Sequence, residues 1–144
     1  MPNRLVLKTF IGAHKFWYRL TGGVIGGRGG KKRFLLLTTT GRKSGRPWTT
    51  PLTYTRDGDD LVFIASNGGS DRHPAWYLNL KAGPRATVQA GRERLAVRAE
   101  TAAPDQRERL WSRWVAIYPG YEAYRKRTKR EIPVVVLHPD PGGG

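Results

Sequence analysis

The pattern of apolar and polar positions divides the chain into a helix, three strands, a helix, two strands, a pair of helices and a last strand. Residues 4–20 have helical periodicity. At about 100° per residue, Arg4, Lys8, Lys15 and Arg19 fall within an arc of roughly 60°. Leu5, Val6, Phe10, Ala13, Phe16, Trp17 and Leu20 occupy the broad opposite face. A glycine-rich connector, 21–30, follows. Residues 33–40 (RFLLLTTT) read as a buried strand and 41–47 (GRKSGRP) as a turn. Residues 48–56 (WTTPLTYTR) alternate and read as a strand in which Pro51 forces an edge or a bulge. Asp57-Gly58 signals a hairpin into a third strand, 61–66. A loop opens at Asn67, and 73–82 read as a helix with Asp71 or Arg72 near its cap and Pro74 in its first turn. Residues 86–90 and 94–101 flank Gly91 as a second hairpin. A helix over 104–118 carries Asp105 and Glu108 in its first turn, where the helix dipole favours acids. Pro119-Gly120 breaks it, 121–128 continue as a further turn or two, and 134–137 form the last strand.

Strands joined mostly by hairpins predict an antiparallel sheet that curls into a small barrel, mainly β with flanking helices over its open edges. The organisation expected is an N-terminal amphipathic helix and connector over 1–30, one barrel domain over 31–139 and a flexible tail over 140–144.

Composition narrows the function. With 144 residues the chain can bury a real core as one domain. Its aromatics (5 Trp, 6 Tyr, 4 Phe) argue against disorder. No apolar run is long enough to span a bilayer. The absence of cysteine excludes disulfides, thiolate metal sites and cysteine nucleophiles, and fits a reducing compartment. The net charge is +15, and it is lopsided: residues 1–56 hold twelve Lys or Arg and no acid. That asymmetry points to an anionic partner, whether nucleic acid, an acidic membrane surface or a small anion. The helix over 4–20 either docks on its own domain or lies on an anionic bilayer.

Three clusters could carry chemistry. In Gly41-Arg42-Lys43-Ser44-Gly45-Arg46, turn amides, three cations and a hydroxyl suit a phosphate, although a solvated basic hairpin has the same sequence. The glycine spacing is not that of a P-loop. In Ser66-Asn67-Gly68-Gly69, glycines between a strand and a helix set amides at a helix N-terminus, where anions are favoured. There Trp76 either stacks on a ring or sits in the core, and His73 reads as a cap or surface residue. No second His or acid stands at ligand spacing, so no metal site is expected. Tyr118, Tyr121 and Tyr124, three apart, extend the stripe of Trp111 and Trp114. Part of that stripe is core, yet tyrosines suggest hydroxyls facing a partly wet cleft, where one could orient a substrate or supply a proton. No Ser–His–Asp pattern or carboxylate pair accompanies them. An anion grip with aromatics and no chemistry of its own fits a borrowed cofactor.

The strings LLLTTTGRKSGRPWTTPLTY, ASNGGSDRHPAWYLNL and YPGYEAYRKRTKREIPVVVL, in this order across residues 34–138, resemble the deazaflavin-dependent nitroreductase family of actinobacteria. The resemblance implies a split β-barrel and the 8-hydroxy-5-deazaflavin coenzyme F-420, a hydride carrier with a phosphodiester and an oligoglutamate tail. It implies that Arg42, Lys43, Ser44 and Gly45 grip the phosphate and tail. Pro51, Leu52, Ser66, Asn67, Gly68 and Gly69 then line the coenzyme path, and Trp76 and Asn79 lie in the segment closing over it. Tyr118, Tyr121 and Tyr124 match the substrate-pocket tyrosines and, with Ser66, form the implied catalytic set; Tyr121 orients the substrate or supplies its proton. Asn67 departs from the Lys that nitroreductase-active relatives can carry, which bears on nitro reduction more than on the coenzyme.

The implied reaction is hydride transfer from C5 of the reduced deazaflavin to an electron-poor acceptor, a quinone first, or an enone or nitroaromatic. The expected setting is the cytoplasm, with contact to the inner face of the plasma membrane through the N-terminal helix, as a monomer or homodimer. A related FMN-type flavoprotein and a non-enzymatic basic barrel binding membrane or nucleic acid are the competing readings. Nucleic acid is not expected as the partner, because the aromatics cluster in a helix rather than interleaving with bases on an open sheet.

Overall fold

A computed structural model describes residues 34–90 and 92–140. The helix expected over 4–20, the connector, the cations at 31–33, Gly91 and the end of the tail at 141–144 lie outside the described residues.

Among the described residues, seven strands and three helices follow one another in the order the hydrophobic pattern predicts. They are β1 (Phe34–Thr40), β2 (Pro47–Thr53), β3 (Thr55–Asp57), β4 (Asp60–Ile64), α1 (Ala75–Ala82), β5 (Arg85–Ala90), β6 (Glu93–Thr101), α2 (Pro104–Ile117), α3 (Tyr121–Arg127) and β7 (Val134–Pro139), with a single 3-10 turn over Asn67–Gly69. One expected strand, 48–56, is two: β2 and β3 are separated by Tyr54 alone. The sheet order is β2-β1-β5-β6-β7-β4-β3, so these two segments lie at its opposite edges. One residue can link the two edges of a seven-stranded sheet only if the sheet curls until the edges meet. Tyr54 is that corner, fully buried. Every pairing is antiparallel, and the flanked, curled sheet is the architecture the hairpins predict.

Two cores hold the curl. Inside it, α1 lays Trp76, Tyr77 and Leu80 against inward residues such as Leu37, Phe63 and Val88. Outside it, α2 lays Leu110, Trp111 and Trp114 against the other face of β4 and β7. Those two strands are therefore buried on both faces. Leu61, Phe63, Val135 and Leu137 face inward, and Val62, Ile64, Val134 and Val136 face outward. This explains why both read as unbroken apolar runs rather than alternating ones. The N-cap of α1 is Pro74, one position before the helix proper. Proline suits this position because its missing N–H is one the helix would leave unbonded.

Candidate active site

Where the edges of the sheet meet, an open cleft of about 390 Å³ lies between β2, the 3-10 turn, the start of α1 and the first residue of α3. Strand alternation turns Trp48, Thr50 and Leu52 of β2 into it. Ser66, Asn67 and Gly68 form another side, Trp76 comes from α1, and Tyr121 closes the end. Ser66 is only 6% exposed. Its hydroxyl faces no hydrogen-bond partner among the described residues, so a polar ligand atom in the cleft would satisfy it. Asn67, Gly68 and Gly69 all have positive φ (48°, 65° and 83°). This left-handed stretch folds the chain back sharply between β4 and α1, and Asn is the non-glycine residue that best tolerates it. The Asn67 side-chain amide donates to the Arg72 carbonyl at 3.1 Å, holding the bend.

The three tyrosines have different surroundings. Tyr118 is buried and its hydroxyl donates to the Tyr54 carbonyl at 3.2 Å, pinning α2 to the corner of the barrel. Tyr124 packs its ring edge-on against Tyr121, with centroids 4.9 Å apart, and lies under the Arg127 guanidinium. Neither lines the cleft, in contrast to the sequence expectation. Tyr121 does, its ring held by Trp114 at 5.2 Å and by Tyr124. Burial, with the neighbouring Tyr124 and Tyr118, pushes its hydroxyl up to about 12. It therefore stays a neutral donor at any physiological pH.

The basic turn stands apart from the cleft but is tied to it. Asn79, 2% exposed, accepts from the Arg42 backbone N–H and from its guanidinium, both at 3.1 Å, and donates to Thr39 Oγ1 at 3.0 Å. Its amide is spent on fixing the turn rather than on the cleft. The amides of Gly41, Gly45 and Arg46 are bonded within the turn. Those of Lys43 and Ser44 make no hydrogen bond among the described residues, and the Lys43 and Arg46 side chains are exposed. Trp76 and Asn79 lie three apart on one side of α1, so about 4.5 Å of helix separates the residue in the cleft from the residue holding the turn.

Two further expected residues sit elsewhere. Pro51 lies on the outer face of β2 opposite Leu36, because the alternation that brings Thr50 and Leu52 inward turns it away. Gly69 is buried beneath α3, where an added Cβ would meet Arg127 side-chain carbons at 3.1 and 3.2 Å. Sequence reasoning missed Arg130. Its guanidinium donates to the carbonyls of Ala65, Ser66 and Ser70 and bonds His73, yet the run RKRTKR hides it among solvated cations. It also missed Trp48, whose place in an alternating strand marked it only as one of two faces.

Comparison with known proteins places this geometry. Residues 11–139 match the family model described as F420H(2)-dependent quinone reductase. The chain belongs to that family. An F420H2-dependent quinone reductase of Mycobacterium tuberculosis is 45% identical over 128 residues, covering 86% of each chain. A solved F420-H2-dependent reductase is 38% identical and superimposes with a TM-score of 0.67 over 73% of this chain and 93% of its own. A second solved structure, a domain-swapped dimer, is 35% identical with a TM-score of 0.68 over 87% of this chain and 95% of its own. The resemblance read from the three motifs, the split-barrel fold and the deazaflavin-dependent reductase class are thereby borne out, F420H2 being the reduced form of the coenzyme expected. Among the described residues no group of three or more His, Asp or Glu could hold a metal ion. No described helix is long and apolar enough to cross a membrane.

Proposed function

We propose that this chain transfers hydride from the reduced deazaflavin coenzyme to a quinone, with the coenzyme ring in the cleft and its anionic tail on the basic turn. The observation carrying this reading is the single face of α1 that sets Trp76 in the cleft and fixes Arg42 in the turn through Asn79. The residues fit the group. Trp76, Leu52 and Tyr121 offer apolar and aromatic walls to a flat ring, and Ser66 lines the same cleft with a hydroxyl that makes no hydrogen bond among the described residues. The free amides of Lys43 and Ser44, with the exposed cations beside them, suit a phosphodiester.

When bound, the reduced coenzyme would supply a hydride, which carries both electrons of the reduction. The chain's residues position and shield. Leu52 and Trp76 would exclude water from one side of the cleft, and Ser66 and the Gly68 backbone would hold a polar edge of the bound ring. Tyr121 donates a hydrogen bond to the acceptor's oxygen. With its hydroxyl pushed up to about 12, Tyr121 is a neutral donor that orients the acceptor and stabilises charge developing on its oxygen, and the proton is supplied by Tyr121 or by water.

The test is a fluorescence titration of the coenzyme. Lys43→Ala, which removes an exposed side chain with no hydrogen bond or ion pair among the described residues, weakens binding by about 1–3 kcal/mol. An unchanged affinity removes the turn from the site. Two finer expectations belong to the same proposal. Residues 4–20 place the protein on anionic lipid at the cytoplasmic face, checked by flotation with anionic against neutral vesicles. The chain dimerises as its domain-swapped relative does, checked by light scattering.

A further inference from the structure

The cleft side formed by Ser66, Asn67 and Gly68 has no regular structure of its own beyond one 3-10 turn. Its backbone needs an external brace, and Arg130 supplies one from beyond the end of α3. The guanidinium Nη2 donates to the carbonyls of Ala65 (3.2 Å) and Ser66 (2.8 Å), and Nε donates to that of Ser70 (2.8 Å). Nη1 meets His73 Nδ1 at 3.0 Å. A guanidinium has no acceptor, so Nδ1 must accept and the imidazole proton sits on Nε2. The brace thus grips both ends of the segment: the carbonyl of the cleft residue Ser66 and the side chain just before α1. Among the described residues no carboxylate forms an ion pair with this guanidinium, although the charge of Asp71 acts on it. The nearby Asp71 accepts instead from Thr128 Oγ1 at 2.7 Å, and that same oxygen accepts from the Arg130 amide at 3.2 Å.

We propose that Arg130 is a positioning residue for the cleft, clamping residues 65–73 in binding geometry, and that neutral His73 is the acceptor that completes the clamp. Protonated His73 would carry N–H at Nδ1 and a positive charge against the guanidinium, so the clamp opens on the acid side. The groups facing His73 are Arg130, Lys81 of α1 and the Tyr77 ring, edge-on with centroids 5.0 Å apart. Burial, then the charges of Arg130 and Lys81, hold the imidazole below its ordinary 6.5, which keeps it neutral near pH 7. The inference rests on the proposed function only in taking the cleft as the coenzyme's place; the clamp itself is a property of the free protein.

The test follows amide hydrogen exchange of residues 65–73 in the full chain, alongside the coenzyme titration, between pH 7.5 and 5.5. Exchange is corrected for its intrinsic pH dependence. The wild type is expected to lose protection in this segment, and severalfold in coenzyme affinity, as pH falls through the range. Arg130→Lys, which keeps a charge but loses the fork, is expected to show the unprotected segment and the weaker affinity already at pH 7.5. Its protection in β4 and β7 stays unchanged. His73→Asn, which keeps an acceptor near the Nδ1 position and cannot take up a proton, is expected to hold both quantities flat with pH. Wild-type protection of 65–73 in Arg130→Lys, or an unchanged acid loss in His73→Asn, overturns the clamp. Failure of the wild type to bind coenzyme at any pH overturns the proposed function instead, and the exchange result still decides the clamp.

Discussion

Single residues divide the tyrosine cluster more sharply than its spacing does. Three tyrosines at intervals of three look equivalent along a chain, because spacing reports a shared face and not what lies opposite that face. The break at Pro119-Gly120 rotates α3 against α2, so Tyr118 turns into the core and Tyr121 into the cleft. Tyr121→Phe is expected to lower turnover about tenfold, the worth of one hydrogen bond made to developing charge, with coenzyme affinity little changed. Steady-state kinetics with coenzyme and quinone varied separately check this. Gly69 is constrained twice, by a φ of 83° and by Arg127 side-chain carbons and the Tyr124 carbonyl standing where a Cβ would go. Gly69→Ala should therefore cost about 1–3 kcal/mol by thermal or urea unfolding. Both the glycines and the basic turn were legible as candidates. What stayed hidden was direction: Pro51 lies one residue from Leu52 but on the other face.

Among the elements, the helices and strands β1, β5 and β6 follow from periodicity, but the corner at Tyr54 does not. A strand reading over 48–56 keeps alternation intact, and only the long-range pairings, β2 with β1 and β3 with β4, reveal that it is two edges of one sheet. The same limit applies to β4 and β7, whose apolar runs announce burial on both faces without naming the covering helices. Trp114, fully buried between α2 and these strands, should cost about 3–5 kcal/mol when replaced by Ala. His138 of β7 bonds Asp60 of β4 at 2.9 Å and Glu100 of β6 at 3.3 Å. Burial alone would lower its pKa, but the hydrogen bonds and charges of the two carboxylates outweigh it and raise the value above 6.5. The folded state then binds a proton more tightly than the unfolded one. This stabilisation is fully present below pH 6.5 and is lost as pH rises through the raised value. The stability gap between wild type and His138→Gln, read by urea unfolding, should be wider at pH 6 than at pH 9.

For the whole molecule, the charge of +15 is spent in distinguishable ways. Arg130 is internal bracing, Arg109 and Arg113 pair with Asp57, and Lys43 and Arg46 stand exposed beside free amides. The class of an anionic ligand was legible in the acid-free first 56 residues, and the motifs supplied the family. Which cations are committed internally became visible only once the chain was folded. The central claim is that this barrel passes hydride from the reduced deazaflavin to a quinone. The most direct measurement mixes the protein anaerobically with the reduced coenzyme and a soluble quinone and follows the return of the oxidised coenzyme's absorbance. The account predicts quinone-dependent, stoichiometric coenzyme oxidation that is catalytic in protein and slowed by Tyr121→Phe. Tight coenzyme binding with no oxidation above the protein-free rate, for any quinone tried, would contradict it.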